Sequence, residues 1–317
     1  MKQIRTGVVG VGHLGYHHAR IYTALDGVEL IGIVDTDSVQ AQKSASDFNT
    51  RAFDSVEALI EAGVDAVSVA VPTSFHLDIA SRLLAAGVDV LVEKPLAGSV
   101  EEGRALVATA RKHGRLLQVG HIERFNGAVQ AFLDVVQNPR FIECHRLSPY
   151  PNRGQDVSVV LDLMIHDLEI LGALVKSAPV SVDAVGVAVF SSQEDIANAR
   201  IRFESGCVAN VTASRVSVER MRKIRIFEAD AYMSTDYSEQ EVMVYRKKPG
   251  VMEPGMNPME FITVEPLPVY RDEPLRRELA SFVGCARERT QPLVTGEAAL
   301  AAMELAQRIT ESIRVTV

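Results

Sequence analysis

The chain has 317 residues, 47% hydrophobic and 23% charged, which excludes disordered and fibrous classes and leaves room for two cores. Lys and Arg number 33 against 41 Asp and Glu, a formal charge of −8, so nothing overall attracts nucleic acid or an anionic membrane. An anionic ligand would need a local basic cluster. Cys144, Cys207 and Cys285 are too few and too dispersed for a disulfide framework or a metal cage, and reduced thiols in a cytoplasmic protein are the expectation. A strand-like run begins within residues 1–7, leaving no apolar leader, and no apolar stretch approaches ~18 residues, so no membrane span is expected.

From residue 4 to 120, short Val- and Ile-rich runs at 7–10, 29–34, 65–71, 88–92 and 116–119 alternate with helical patterns around 14–25, 38–48, 55–62, 75–86 and 99–113. Such alternation predicts a doubly wound parallel sheet covered on both faces. Ser99 and Glu102 form a capping box for the last of these helices. Beyond about residue 140 the rhythm changes. A helix near 159–175 precedes strands at 180–190, 196–204, 207–217, 222–229, 231–236 and 240–245, then a Pro- and Gly-rich loop at 246–261. Helices near 274–289 and 296–313 close the chain. The fold class is therefore α/β: a Rossmann domain over 1–120, then an α+β domain over 121–317 with a mostly antiparallel open-faced sheet. The C-terminal helices are able to pack back on the first domain. The strand at 180–190 is apolar on both faces, with Val182, Ala184 and Ala188 on one and Val185, Val187 and Val189 on the other. Its second face meets another subunit or lies under the terminal helices.

Gly10-Val11-Gly12-His13-Leu14-Gly15 follows the first strand and opens the first helix. Gly10 permits the tight turn, Gly12 lets backbone approach a pyrophosphate, and Gly15 lets helix meet strand. The helix N-terminus offers free N–H groups to the phosphates. Asp35 ends the second strand 20 residues after Gly15, where a carboxylate accepts from ribose hydroxyls and repels a 2′-phosphate, favouring NAD over NADP. A purely structural turn with a solvated aspartate is the alternative. Two more motifs follow strands whose carboxyl ends should border the ligand: Val71-Pro72-Thr73-Ser74-Phe75-His76 and Val92-Glu93-Lys94-Pro95. A strand-end lysine is ordinarily a solvated charge, but Pro95 fixes the chain where a functional ammonium would need rigid placement. In Asp162-Leu163-Met164-Ile165-His166, the i and i+4 positions share a helix face, so Asp162 can orient the His166 ring. Glu169 falls in the same narrow polar wedge of a mostly apolar helix. A core histidine beside a carboxylate is the alternative there.

Jointly, the Gly10–Gly15 loop, Pro72-Thr73 with His76, and Glu93-Lys94-Pro95 resemble the Gfo/Idh/MocA oxidoreductases over nearly the whole chain. The resemblance implies a dehydrogenase with NAD held by Gly10, Gly12, His13, Leu14, Gly15, Asp35, Pro72, Thr73, His76, Glu93 and Lys94. It implies catalysis by Lys94, His166 and Asp162, a cis bond before Pro95, and a homodimer or homotetramer built through the open sheet. A histidine, with an ordinary pKa near ~6.5, suits a base for the hydroxyl proton, and Lys94 would share or take that proton. No metal is expected. Residues 120–126, 148–153 and 160–167 are similar to the branch containing UDP-N-acetylglucosamine 3-dehydrogenases, which implies a nucleotide-sugar substrate oxidised at C3. Arg124, Asn126 and Arg153 are the candidate substrate contacts, with Arg146 a further cation for a diphosphate; the basic run Arg215, Arg220, Arg222, Lys223, Arg225 lies elsewhere. The chain lacks Trp, and Asp156-Val157-Ser158-Val159 replaces the Trp- and Gly-rich approach found in several relatives. An inositol dehydrogenase-like enzyme of free polyols or monosaccharides is the alternative, and a non-catalytic NAD(H) sensor the second.

Overall fold

The structure, a computed structural model, describes residues 3–150, 157–250, 255 and 257–316. The chain forms two compact units, Met1–Ile122 with Glu273–Met303 and Glu123–Asp272 with Glu304–Val317.

The first unit alternates β1 (Ile4–Val9), α1 (His13–Thr23), β2 (Val28–Val34), α2 (Ser38–Asp47), β3 (Ala52–Phe53), α3 (Val56–Glu61), β4 (Ala66–Val69), α4 (His76–Ala85), β5 (Asp89–Glu93), α5 (Val100–His113) and β6 (Leu117–Gly120). All six strands pair in parallel, in the order β3-β2-β1-β4-β5-β6. Every residue of β4 and β5 is buried, Ser68, Asp89 and Glu93 among them, which is why these strands lack the polar-apolar alternation of a sheet open on one face. The order reverses between β1 and β4, and ligands of such sheets bind outside the carboxyl ends at that switch point. Side-chain caps start three of the helices, α2, α3 and α5: Asp37 accepts from Val39 and Gln40 N–H, Ser55 from Ala58 N–H, and Ser99 from Glu102 N–H. Glu102 reaches back to Gly98 N–H, at 2.9 Å, one residue short of the Ser99 N–H that a capping box uses. The two-residue β3 has too little sequence to leave a periodic signal.

A 3₁₀ turn, Ile122–Phe125, carries the chain into the second unit, which continues through α6 (Gly127–Val135) and β7 (Phe141–Leu147). A π-helical turn, Val160–Met164, runs directly into α7 (Ile165–Val175). Strands β8 (Pro179–Val187), β9 (Ile196–Phe203), β10 (Val208–Ser214), β11 (Met221–Phe227), β12 (Ala231–Asp236), β13 (Glu241–Lys247) and β14 (Ile262–Pro266) follow. They form one sheet, β14-β13-β12-β11-β7-β10-β9-β8, antiparallel except between β7 and β10. The sequence pattern misses α6, β7 and β14. In β7, Glu143 and Arg146 interrupt the apolar signal, and Arg146 is nonetheless buried.

One face of this sheet is core. On the other, Phe141, Phe227, Tyr232 and Tyr245 stand side by side across four strands, with successive ring centroids 5.7, 4.8 and 5.1 Å apart.

Two helices close the chain, α8 (Pro274–Glu288) and α9 (Gly296–Thr316). From α8, Leu275, Leu279, Phe282 and Val283 enter one core cluster with Val8, Tyr22 and Ile33, so residues 273–303 complete the first unit. The end of α9 covers only one face of β8: Ser312 Oγ accepts from Ala184 N–H, and a Cβ at Gly186 would stand 3.0 Å from Ile313. Val185 and Val187, on the opposite face, are each 51% exposed. The terminal helices therefore do not bury the second apolar face of β8, and the strand ends three residues earlier than its sequence suggests. Among the described residues, no helix is long and apolar enough to cross a membrane, and no group of three or more His, Cys, Asp or Glu is placed to hold a metal ion.

Candidate active site

At the carboxyl end of β1, Gly10 adopts a left-handed φ of +84°, and a Cβ there would stand 2.7 Å from Ala70 O. A Cβ at Gly15 would meet Gly10 O at 1.8 Å, so helix and strand approach closely only because both are glycine. Gly12 differs. It occupies the N-cap of α1, makes no side-chain cap, and has nothing within 4 Å of where its Cβ would be. Uncapped first-turn N–H groups above open space fit the diphosphate of a dinucleotide. His13 and Leu14 are exposed beside them. Asp35 is tied to this loop: its carboxylate accepts from Val11 N–H at 2.7 Å and Asp37 N–H at 2.9 Å. Gln40, absent from the sequence reading, donates to Val11 O at 3.0 Å. A carboxylate has further lone pairs for ribose hydroxyls, so the residues present fit NAD.

The Lys94 turn is held from three sides. The peptide between Lys94 and Pro95 is cis. The Glu93 carboxylate accepts from Lys94 N–H at 3.3 Å, and its other oxygen lies 2.9 Å from Nε2 of His18, a fully buried residue of α1. Gly120 on β6 makes room for that carboxylate, since a Cβ would stand 2.8 Å from Oε2. His76 provides the third constraint. Its Nδ1 lies 2.9 Å from Pro95 O and its Nε2 3.0 Å from Val71 O. The side chain is buried, with the residue only 1% exposed. The sequence expects a cofactor contact at His76, and the ring is placed as a staple between the β4 and β5 loops. Burial pushes its pKa down, while the Val71 and Pro95 carbonyls and the Glu93 charge pull the other way. An imidazole with one N–H donates to only one of two carbonyls, so the ring is confined whichever tautomer it adopts. Pro72 and Thr73 flank this staple, Pro72 capping the 3₁₀ turn Thr73–Phe75.

In the second unit, the helix expected across 159–175 changes type. Asp162 lies in the π-helical turn and His166 in the first turn of α7, both half-buried; π-helical turns are often found at functional sites. The wedge inferred from the helical plot divides by depth. Glu169 is buried, at 3% exposure, and paired with Arg124 Nη1 at 2.7 Å. Burial pushes the Glu169 carboxyl up to about 7 against the opposing pull of Arg124.

The cations proposed for a diphosphate are engaged inside the unit. Besides the Arg124–Glu169 pair, Arg146 donates from Nε and Nη2 to the two oxygens of Asp167, both at 2.9 Å, and from Nη1 to Glu123 at 2.9 Å. Asn126 caps α6 through Ala128 N–H and donates to Tyr237 O at 3.2 Å. Arg124 and Asn126, expected as substrate contacts, make these bonds within the second unit, as buried polar groups do with whatever partners the core supplies. Arg153 lies outside the described residues, as do Pro151, Asn152 and Asp156.

The basic run at 215–225 also disperses. Arg215 is fully buried, donating to Asp195 at 2.8 Å, Ser191 Oγ at 3.0 Å and Val157 O at 2.7 Å. Burial works against the Asp195 charge, yet the Ser191 and Phe190 N–H groups and Arg215 outweigh it and hold the carboxyl far below the ordinary range. Arg222, Lys223 and Arg225 pair with Glu123, Asp236 and Glu143.

A family model described as "Oxidoreductase family, NAD-binding Rossmann fold" matches residues 4–121, and the GFO/IDH/MocA C-terminal domain matches residues 125–232. The chain is 41% identical over 257 residues to the UDP-N-acetylglucosamine 3-dehydrogenase of Acidithiobacillus ferrooxidans, covering 81% of each chain. A solved structure of that enzyme matches with a TM-score of 0.91 at 35% identity, covering 99% of both chains. The scyllo-inositol 2-dehydrogenase (NAD(+)) of Bacillus subtilis is 27% identical over 336 residues, covering 98% of this chain and 94% of that one.

Proposed function

We propose, from the premise that this chain belongs to the Gfo/Idh/MocA oxidoreductase family, that it oxidises the 3-hydroxyl of a UDP-N-acetyl-hexosamine. The observation carrying this reading is the similarity to the Acidithiobacillus UDP-N-acetylglucosamine 3-dehydrogenase, at 41% identity over 81% of the chain. NAD+, when bound, supplies the hydride acceptor. Gly10, Gly12, Gly15 and Asp35 hold the dinucleotide, with His13, Leu14, Pro72 and Thr73 beside it. Lys94 donates to the substrate oxygen as negative charge develops there. His166, oriented by Asp162, removes the hydroxyl proton. Glu93 sets the position of Lys94 through its backbone, and His76 and His18 position that turn from behind.

Incubation with NAD+ and UDP-N-acetylglucosamine, with a carbonyl trap to pull the oxidation forward, should produce NADH absorbance. N-acetylglucosamine without UDP should be far poorer, since remote binding energy would be lost from the transition state. Arg153→Ala should weaken the UDP-sugar reaction selectively. A second reading, oxidation of a free polyol, draws on the internal pairing of Arg124 and Arg146, which leaves fewer cations for a diphosphate, and on the inositol dehydrogenase relatives. Equal turnover of the free sugar, or a preferred polyol, would establish that second reading.

The open sheet face supports a further assignment, a homodimer or homotetramer joined through Phe141, Phe227, Tyr232 and Tyr245. Contiguous apolar rows on an open sheet face mark interaction surfaces, and all four rings are half-buried. Sedimentation should give an oligomer that Tyr232→Glu dissociates, and a monomeric parent protein would end the assignment.

A further inference from the structure

The parallel sheet of the first unit has a second charged recess, at the amino ends of β5 and β6, opposite the strand ends that carry Glu93 and Gly120. A cleft of about 430 Å3 is lined there by Arg111, Arg115, Arg289, Gln291 and Glu297 over an apolar floor that includes Leu117. Such a volume lies in the range of small-molecule sites. Its lining carries three guanidinium groups and one carboxylate, and a second carboxylate, Asp89, pairs with Arg289, in a chain whose formal charge is −8.

Two of the arginines have structural duties. Arg111, in the last turn of α5, pairs with Glu297 at 2.8 Å. Arg289, left-handed at the end of α8 with φ +58°, donates to Asp89 and, at 3.1 Å, to Gly114 O. Cations at helix C-termini satisfy the last carbonyls and oppose the dipole there. Arg115 has no such duty. It lies beyond the left-handed Gly114 that ends α5 and rests over Gly87, whose Cβ would stand 3.9 Å from its guanidinium carbon. Its Nε is shielded from water and has no hydrogen-bond partner, and among the described residues Arg115 pairs with no carboxylate. An unsatisfied buried N–H is costly, and the carboxylates nearby, Glu297 and Asp89, are already engaged by Arg111 and Arg289. What completes the recess is negative charge carrying several acceptor oxygens, the chemistry that planar guanidinium groups recognise best.

We propose that this cleft binds a phosphate-bearing small molecule, with Arg115 as its principal contact and the floor around Leu117 receiving the organic part. The site lies at the strand ends opposite those that carry the dinucleotide loop.

Inorganic pyrophosphate serves as the probe, titrated into the full chain with NADH at saturation so that the dinucleotide loop is filled. Pyrophosphate should raise the unfolding temperature, as any ligand of the native state does. Calorimetry should give binding at least tenfold tighter to the parent than to Arg115→Met. Without pyrophosphate, Arg115→Met should unfold at or above the parent temperature, since it removes an unsatisfied cation and no pairing. Equal pyrophosphate affinity in parent and variant would overturn the proposal. So would a fall in the unfolding temperature of Arg115→Met without the anion, because it would make Arg115 a structural residue.

Discussion

The glycine loop of the first unit and the interior of the second both manage charge, in opposite ways. Around Gly12 the chain presents backbone N–H groups with no side chain to cap them, leaving polar capacity for a ligand. Around Arg146 and Arg215 every strong donor has an internal acceptor: Asp167 and Glu123 for the first, Asp195 and Ser191 for the second. An arginine in a sequence is therefore ambiguous. Whether it meets ligand or core depends on carboxylates contributed from elsewhere in the fold, and only unmet capacity points outward.

The largest effect expected from this contrast is on stability. Removing one partner of a buried ion pair leaves the other charge uncompensated, at about 3–5 kcal/mol. Arg215→Ala should lose roughly that much in urea unfolding, with Asp195 left buried. A loss below about 1 kcal/mol would mean that the interior charges of the second unit contribute far less than their geometry implies.

Lys94 in the first unit and His166 in the second carry the proposed chemistry. Lys94→Ala and His166→Ala should each lower turnover by roughly 10²-fold or more, with NADH affinity kept within a few-fold and unfolding nearly unchanged. Asp162→Asn should cost less than His166→Ala, because it removes the orienting group and leaves the ring. Near-normal turnover in both alanine variants would move the chemistry to other residues.

The smallest effect concerns Asp35. The parent should bind NADH at least tenfold more tightly than NADPH, about 1.4 kcal/mol, and Asp35→Ala should bring the two affinities close together. Tighter binding of NADPH by the parent would remove Asp35 as the discriminating residue.

The sequence by itself determined the parallel α/β unit and its nucleotide end, because those signals are local. Gly10, Gly12 and Gly15 act through their own backbone, Asp35 through a strand end a fixed distance on, and Pro95 through the bond that it shares with Lys94. Valine-rich strands separated by capped helices allow few other arrangements. Tertiary structure alone decided which polar residues are engaged internally. Arg124 finds Glu169 across 45 positions, Arg222 finds Glu123 across 99, and His18 lies against Glu93 from another element. His76 belongs to the same class, since its role depends on Pro95 O, 19 residues away. It also decided the single parallel pair of β7 with β10 and the placement of α8 in the first core. The physical reason is that helix, turn and strand preferences act over a few residues. Desolvation, by contrast, forces each buried charge to accept whatever partner the packed chain brings within about 3 Å.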